Sequence, residues 1–182
     1  MKKFLMVFAA VVLAAVSMNA QPRAIGARLG YGAEFSYQHS LGENMLQAEL
    51  SFPGFTWGVG AAATYDWINP FGTSVPWSHK GEWNWYMGVG AAAGLAWPRI
   101  DSNDGIRHSE GGFYAGVAGR VGIEYDFWFP LQLSLDWRPV FGPSVAWDST
   151  TTNGSRVTNY STAYYMGGLY AGAICLGVRY KF

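Results

Sequence analysis

The chain has 182 residues, and its 12 basic and 12 acidic residues give a formal net charge of zero. Charged residues make up only 13% of the sequence, about half the share expected of a soluble domain, whereas aromatic residues make up 17%. The length predicts one domain, the lack of a basic run argues against a nucleic-acid ligand, and the single cysteine, Cys175, excludes an intramolecular disulfide.

Residues 1–20 have the layout of a secretory signal peptide. Two lysines precede an apolar run that extends to Val16, and the small residue Ala20 ends the segment. The apolar run is too short to cross ~30 Å of hydrocarbon as a helix. We therefore expect an exported protein in which residues 21–182 form a single domain.

The rest of the chain alternates between apolar side chains and polar or small ones. No stretch after residue 20 approaches the ~20 consecutive apolar residues of a transmembrane helix. Alternating segments of ~10 residues between turns are typical of membrane barrels. The sequence therefore predicts an all-β fold, a transmembrane antiparallel up-and-down β-barrel of about eight strands. In chain order the alternating runs cover residues 25–37, 46–52, 55–67, 83–97, 113–127, 131–138 and 164–182.

A soluble barrel or sandwich with its apolar face inward is the alternative. Such a fold would turn the other face of each strand toward water. Across residues 84–96 that face consists mostly of glycine and alanine, which is unusual for a solvated surface. This composition favours the membrane barrel.

Seven runs are clear, but a barrel with both chain ends on one side needs an even number of strands. One option divides the run at 25–37 into strands of about 24–30 and 33–39, with a turn at the Gly-Tyr-Gly segment. The other adds a strand at 156–166 that turns at Gly167. The first option interrupts a perfect alternation, yet it gives the more consistent loop arrangement.

That arrangement follows from where the polar segments fall. Division at the Gly-Tyr-Gly segment places the polar stretches 98–111 and 147–160 on the outer side, where long loops belong. It leaves the Ser-Leu-Gly-Glu-Asn and Phe-Trp-Phe-Pro segments as periplasmic turns, and 69–81 as a long periplasmic turn. The first option is therefore favoured.

The polar faces of the runs carry charges of both signs that are expected to point into the lumen. Buried charges must pair and hydrogen-bond, and an eight-stranded barrel is just wide enough for side chains to fill. We therefore expect a plug of ion pairs. The predicted lumen network comprises Arg28, Glu34, Glu49, Asp66, Arg120, Glu124, Asp136, Arg138 and Arg179.

Aromatic residues cluster near the ends of the alternating runs. Rings with an apolar body and a polar edge suit the two membrane interfaces. The predicted aromatic girdle comprises Trp57, Trp67, Trp83, Trp85, Trp97, Phe113, Phe127 and Trp137.

The chain ends Leu-Gly-Val-Arg-Tyr-Lys-Phe, with Leu176, Val178, Tyr180 and Phe182 on one face of the last run. This terminus, the signal peptide and the segments GYGAEFSYQH and GIEYDFWFPLQLSLDWRP resemble the small outer-membrane β-barrel proteins widespread in Bacteroidetes. The predicted architecture is also similar to that of the OmpX and OmpA membrane barrels. The resemblance implies a multi-pass location in the bacterial outer membrane. It also implies that the four residues of the last run are the signal read by the barrel assembly machinery.

Candidate catalytic residues are limited to the three histidines, His39, His79 and His108. The Arg-His-Ser-Glu-Gly segment around His108 reads as a polar loop, and no HExxH, CxxC or GxSxG spacing occurs. We expect no catalytic, cofactor or metal site.

The expected partners are outer-membrane lipid, the assembly machinery and a surface ligand at 98–111 and 147–160, and the expected state is a monomer. A structural or surface-interaction role is favoured. A narrow pore for small solutes and a lipid A-modifying enzyme stay open as alternatives.

Overall fold

The structure is a computed structural model that describes residues 22–54, 58–72, 80–103, 106–152, 155–167 and 174–182. Its regular structure in these ranges is entirely β, and no helix among these residues is long and apolar enough to cross a membrane. The signal-peptide prediction at 1–20 lies outside the described residues. The strands are β1 (Pro22–Leu29), β2 (Gly32–Leu41), β3 (Asn44–Pro53), β4 (Gly58–Pro70), β5 (Gly81–Asn103), β6 (Ile106–Phe127), β7 (Leu131–Trp137), β8 (Val140–Thr152), β9 (Ser155–Gly167) and β10 (Ile174–Lys181).

Eight of these strands close into an antiparallel barrel. β1 to β6 pair in sequence, β6 pairs with β7, β7 pairs with β10, and β10 returns to β1. The last and first strands meet in register, with Val178 opposite Ala27. The predicted fold class, an antiparallel up-and-down barrel of eight strands, is confirmed.

The two remaining strands extend the wall beyond the barrel. β8 continues along β6 past the position of β7, and β9 pairs with β8 alone among the described strands. β5 and β6 also continue as a hairpin beyond Ala96, the last residue of β5 that pairs with β4. We define the projecting sheet as β8, β9, the part of β5 that follows Ala96 and the part of β6 that precedes Gly112.

The barrel has two distinct ends. The terminal end holds the start of β1, the end of β10 and the turns at 42–43 and 128–130. The projecting end holds the β1–β2 turn at Gly30 and Tyr31 and carries the projecting sheet. The division at the Gly-Tyr-Gly segment is therefore correct. The connection from β4 to β5 also lies at the terminal end, although residues 73–79 are not among those described.

Three features of the projecting sheet differ from the sequence-based expectation. The described residues of the stretches 98–111 and 147–160 form paired hairpin strands where long loops are expected. The segment 156–166 is a strand, as in the second option, but it belongs to the projecting sheet and does not close the barrel. β8 is not predicted at all, because Pro143 interrupts its apolar pattern and cannot donate to a ladder.

The outer face of the barrel is apolar and the lumen face is polar. On the outside, Val117 is 60% exposed and Leu176 is 52% exposed, whereas the lumen residues Arg28 and Arg179 are 0% and 1% exposed. This is the reverse of a soluble barrel, whose apolar side chains fill the interior. The alternative with an inward apolar face is therefore wrong.

One test of the fold exploits a close approach between β4 and β5. A Cβ added at Gly90 would lie 1.9 Å from the Ala63 carbonyl oxygen, so Gly90→Ala must push the two strands apart. We expect a loss of about 1–3 kcal/mol in unfolding free energy, measured by urea titration of the refolded barrel. Gly112→Ala is the control, since its Cβ would lie 3.4 Å from the nearest atom. Equal stability of the two variants would contradict the close approach.

Candidate functional site in the barrel lumen

All nine predicted charged residues point into the lumen, because alternate residues of each strand face inward. They come from seven of the eight barrel strands and the segment after β7. Arg28 lies on β1, Glu34 on β2, Glu49 on β3, Asp66 on β4, Arg120 and Glu124 on β6, Asp136 on β7, Arg138 directly after β7, and Arg179 on β10.

Glu49 is the centre of the network. Its side chain has no exposed surface and forms ion pairs with three arginines from different parts of the wall. Arg28 Nη1 and Arg120 Nη2 each lie 2.5 Å from one of its carboxylate oxygens, and Arg138 is the third partner. The carboxylate is thus compensated where water cannot reach it, as a buried charge requires.

The same arginines bridge to three further carboxylates. Arg28 also pairs with Glu34 and Asp136. Arg120 lies 3.3 Å from Asp136 and 3.5 Å from Asp66, and Arg138 Nη2 lies 2.8 Å from Glu34. We call these residues the central layer; its members are Arg28, Glu34, Glu49, Asp66, Arg120, Asp136 and Arg138.

A second cluster lies closer to the terminal end and includes a residue that the sequence reasoning missed. Arg23 Nη1 donates to Glu124 at 3.1 Å, and Lys181 Nζ lies 3.1 Å from Asp126. Strict alternation puts Arg23 on the outer face, but the register shifts between Pro22 and Ala24. This β-bulge turns Arg23 inward. Asp126 has the same parity as Glu124 and could have been found from the alternation alone.

Arg179 is placed in the lumen but forms no ion pair with a described carboxylate. Its Nε donates to Ser36 at 3.0 Å, and its Nη1 donates to Ser134 at 2.7 Å and to Gln132 at 3.2 Å. The guanidinium is therefore held by neutral acceptors. The sequence does not reveal which acceptors Arg179 uses. Alternation places charges of both signs on the lumen face, but it does not show which of them lie close enough to pair.

An apolar layer lies beyond the central layer, toward the projecting end. Ala62, Ala92, Ala118 and Val140 are at most 7% exposed and form one cluster with two tyrosines. The rings of Tyr114 and Tyr165 are stacked with centroids 4.1 Å apart. Ionic and apolar layers together fill the lumen of the barrel.

The predicted girdle residues fall into two groups on the outer face. Near the terminal end the group comprises Trp67, Trp83, Trp85 and Phe127, and near the projecting end it comprises Trp97 and Phe113. Trp137 lies opposite Val121, away from both barrel ends, and Trp57 is outside the described residues. Edge-on contacts such as Tyr65–Trp67, with centroids 5.3 Å apart, order the rings at the terminal end.

The four residues of the predicted assembly signal lie side by side on the outer face of β10 and at the chain end. Leu176, Val178, Tyr180 and Phe182 are between 46% and 70% exposed. The rings of Tyr180 and Phe182 meet edge to face at 5.4 Å. The motif is therefore a continuous apolar stripe on the strand that closes the barrel.

The histidines form no catalytic arrangement among the described side chains. His39 is buried and its Nδ1 lies 3.1 Å from the Tyr37 hydroxyl. His79 and the side chain of His108 lie outside the described part of the structure. Within that part, no three His, Cys, Asp or Glu side chains are grouped to hold a metal ion.

Comparisons with protein-family models, curated proteins and solved structures find no match for this chain. Its eight-stranded antiparallel architecture nevertheless fits the fold of small outer-membrane barrels.

Glu49→Gln tests whether this carboxylate organises the lumen. The variant leaves three arginines sharing less negative charge, so we expect unfolding free energy to fall by about 3–5 kcal/mol, measured by urea titration with tryptophan fluorescence. Glu82→Gln makes the same chemical change at an exposed site and should leave stability unchanged. A Glu49→Gln barrel as stable as Glu82→Gln would remove Glu49 from the centre of the network.

Proposed function

We propose that the protein is an integral outer-membrane β-barrel with a closed lumen, whose role is structural and interactive and involves no catalysis. The observation that carries this proposal is the inverted polarity of the wall. Large apolar side chains cover the outside, where Val121 is 48% exposed and Leu135 is 46% exposed, while Glu49 and Arg120 lie at most 5% exposed in the lumen. Lipid is the solvent that suits such an outer face.

The orientation follows from the two ends. Outer-membrane barrels have short periplasmic turns and longer extracellular segments, and both chain ends lie on the periplasmic side. The terminal end, with its tight turns at 42–43 and 128–130, therefore faces the periplasm, and the projecting sheet faces outward. The pairing of Lys80 with Trp128, whose ring centroid lies 5.6 Å from the Lys80 Nζ, supports a membrane interface at the terminal end.

The projecting sheet is the surface that the proposal assigns to interaction. β9 pairs with β8 alone among the described strands, and Tyr160 and Tyr164 on it are 73% and 75% exposed. An edge strand with exposed aromatic side chains is a natural contact surface for another macromolecule. A barrel of this size, exported by its signal peptide and recognised through Leu176–Phe182, would act as a monomeric membrane anchor for that sheet. The resemblance to the Bacteroidetes, OmpX-type barrels supports the membrane location in this proposal.

Val121→Arg tests the lipid contact directly. A charge on the lipid face near the bilayer midplane costs about 2–4 kcal/mol, so the variant should fold into phosphatidylcholine vesicles with a much lower yield than wild type, as measured by heat-modifiable gel migration. Val157→Arg is the matched control, because Val157 is 61% exposed but lies on the projecting sheet. Equal folding yields would show that Val121 does not face lipid.

The closed lumen predicts the electrical behaviour of the protein. Because the central and apolar layers fill the interior, wild-type protein inserted in a planar bilayer should show no steady ohmic conductance. Bilayers treated with the refolding detergent alone provide the baseline. Stable, reproducible conductance steps from the folded protein would instead favour the narrow pore.

A further inference from the structure

A cavity opens at the projecting end of the lumen, next to the central layer. Its volume is about 140 Å³, and its lining comes from the β1–β2 turn, from β2, β3, β6, β8, β9 and β10, and from the junction after β7. We call this cavity the vestibule. The lining residues used below are Glu34, Ser51, Tyr114, Arg138 and Tyr165.

The floor of the vestibule is an ion pair that presents donors and acceptors together. Arg138 and Glu34 pair at 2.8 Å, and their side chains are 13% and 11% exposed, whereas that of Glu49 has no exposed surface. Arg138 Nη1 donates to Glu49 and Nη2 to Glu34, which leaves further N–H groups of its guanidinium. Glu34 retains acceptor capacity beside them. The two charges compensate each other.

Two aromatic rings line the walls. Tyr114 and Tyr165 stack with an interplanar angle of 13°. Ser51 contributes a hydroxyl near the floor. Flat apolar walls above a polar floor fix both the plane and the orientation of a ligand.

The volume sets the size of the ligand. A cavity of about 150 Å³ accommodates one benzene-sized ring. The vestibule can therefore enclose about as much as one benzene ring, so a substituted six-membered ring enters it with one edge and extends outward through the open side.

We propose that the vestibule binds the neutral six-membered ring of a sugar. A sugar hydroxyl both donates and accepts, so it matches a floor on which guanidinium N–H groups and a carboxylate oxygen lie side by side. The C–H faces of the ring pack on the tyrosine walls. A ligand with a net charge gains little, because Arg138 and Glu34 are already compensated within the central layer. This inference goes beyond the proposed function and does not depend on which macromolecule contacts the projecting sheet.

The experiment is saturation-transfer NMR on the full barrel refolded in a zwitterionic detergent that contains no sugar. The probes are methyl β-glucopyranoside and methyl α-mannopyranoside, with glucuronate as the charged comparison. We expect transfer from at least one neutral glycoside, with a dissociation constant of about 1 mM for a ligand of this size. Tighter binding of maltotetraose than of the glucoside would identify a glycan end as the source, and weaker binding would identify a free sugar.

Neighbouring tyrosines on β9 provide the matched variants. Tyr165→Ala removes a vestibule wall and should weaken binding at least about tenfold, as expected for loss of a ring contact, whereas Tyr165→Phe should keep it. Tyr164→Ala is the control, because the Tyr164 ring stacks on Phe141 with centroids 5.8 Å apart and does not line the vestibule. Each variant is first checked for heat-modifiable migration, so that failure of the barrel is seen separately from failure of binding.

Three results would overturn the proposal. The first is no transfer from either neutral glycoside to heat-modifiable wild-type protein. The second is tighter binding of glucuronate than of the neutral sugars. The third is equal affinity in Tyr164→Ala and Tyr165→Ala, or in Tyr165→Ala and wild type, since the sugar would then lie elsewhere on the molecule.

Discussion

The barrel depends on the pairing of Glu49 with three arginines that reach it from different parts of the wall. None of these charges is stable in the lumen alone, because burial without a partner costs several kcal/mol for each ion. The pairing is satisfied only when β1, β3, β6 and the segment after β7 hold one register. A slip of one residue in any strand would turn its charged face toward the apolar exterior. The lumen network therefore specifies the register of the barrel as well as filling it.

Much of this architecture can be read from the sequence, because a wall between an apolar exterior and a polar lumen imposes a strict two-residue period. The same period also conceals a turn. Ala27 lies opposite Phe35, and Leu29 opposite Ala33, so facing residues in this hairpin have numbers of the same parity. Apolar residues then keep their odd positions straight through the turn. The unbroken run of 13 residues, 25–37, therefore forms two strands. The only indication of this in the sequence is that the barrel needs an even number of strands.

Other features escape a one-dimensional pattern for physical reasons. Arg23 enters the lumen through a bulge, and nothing in the sequence around it signals one extra residue in the ladder. β8 contains Pro143 and extends beyond the barrel. There its two faces are no longer divided between an apolar exterior and a polar lumen, so strict alternation is not required. The vestibule is assembled from residues as distant as Glu34 and Tyr165. The charges of the central layer could be found by parity, but the partner of each charge could not.

The contact between Arg28 and Asp136 joins residues that are 108 positions apart in the chain. It links the first strand of the barrel to the seventh, so it cannot form while the sheet is still open. Until β10 reaches β1, the charged face lines a water-filled trough and each ion stays hydrated. Closure of the final seam then has to expel that water and form the ion pairs at once. We therefore expect the barrel to close late in folding and in one cooperative step, because these contacts are non-local. No stable half-barrel should accumulate before closure.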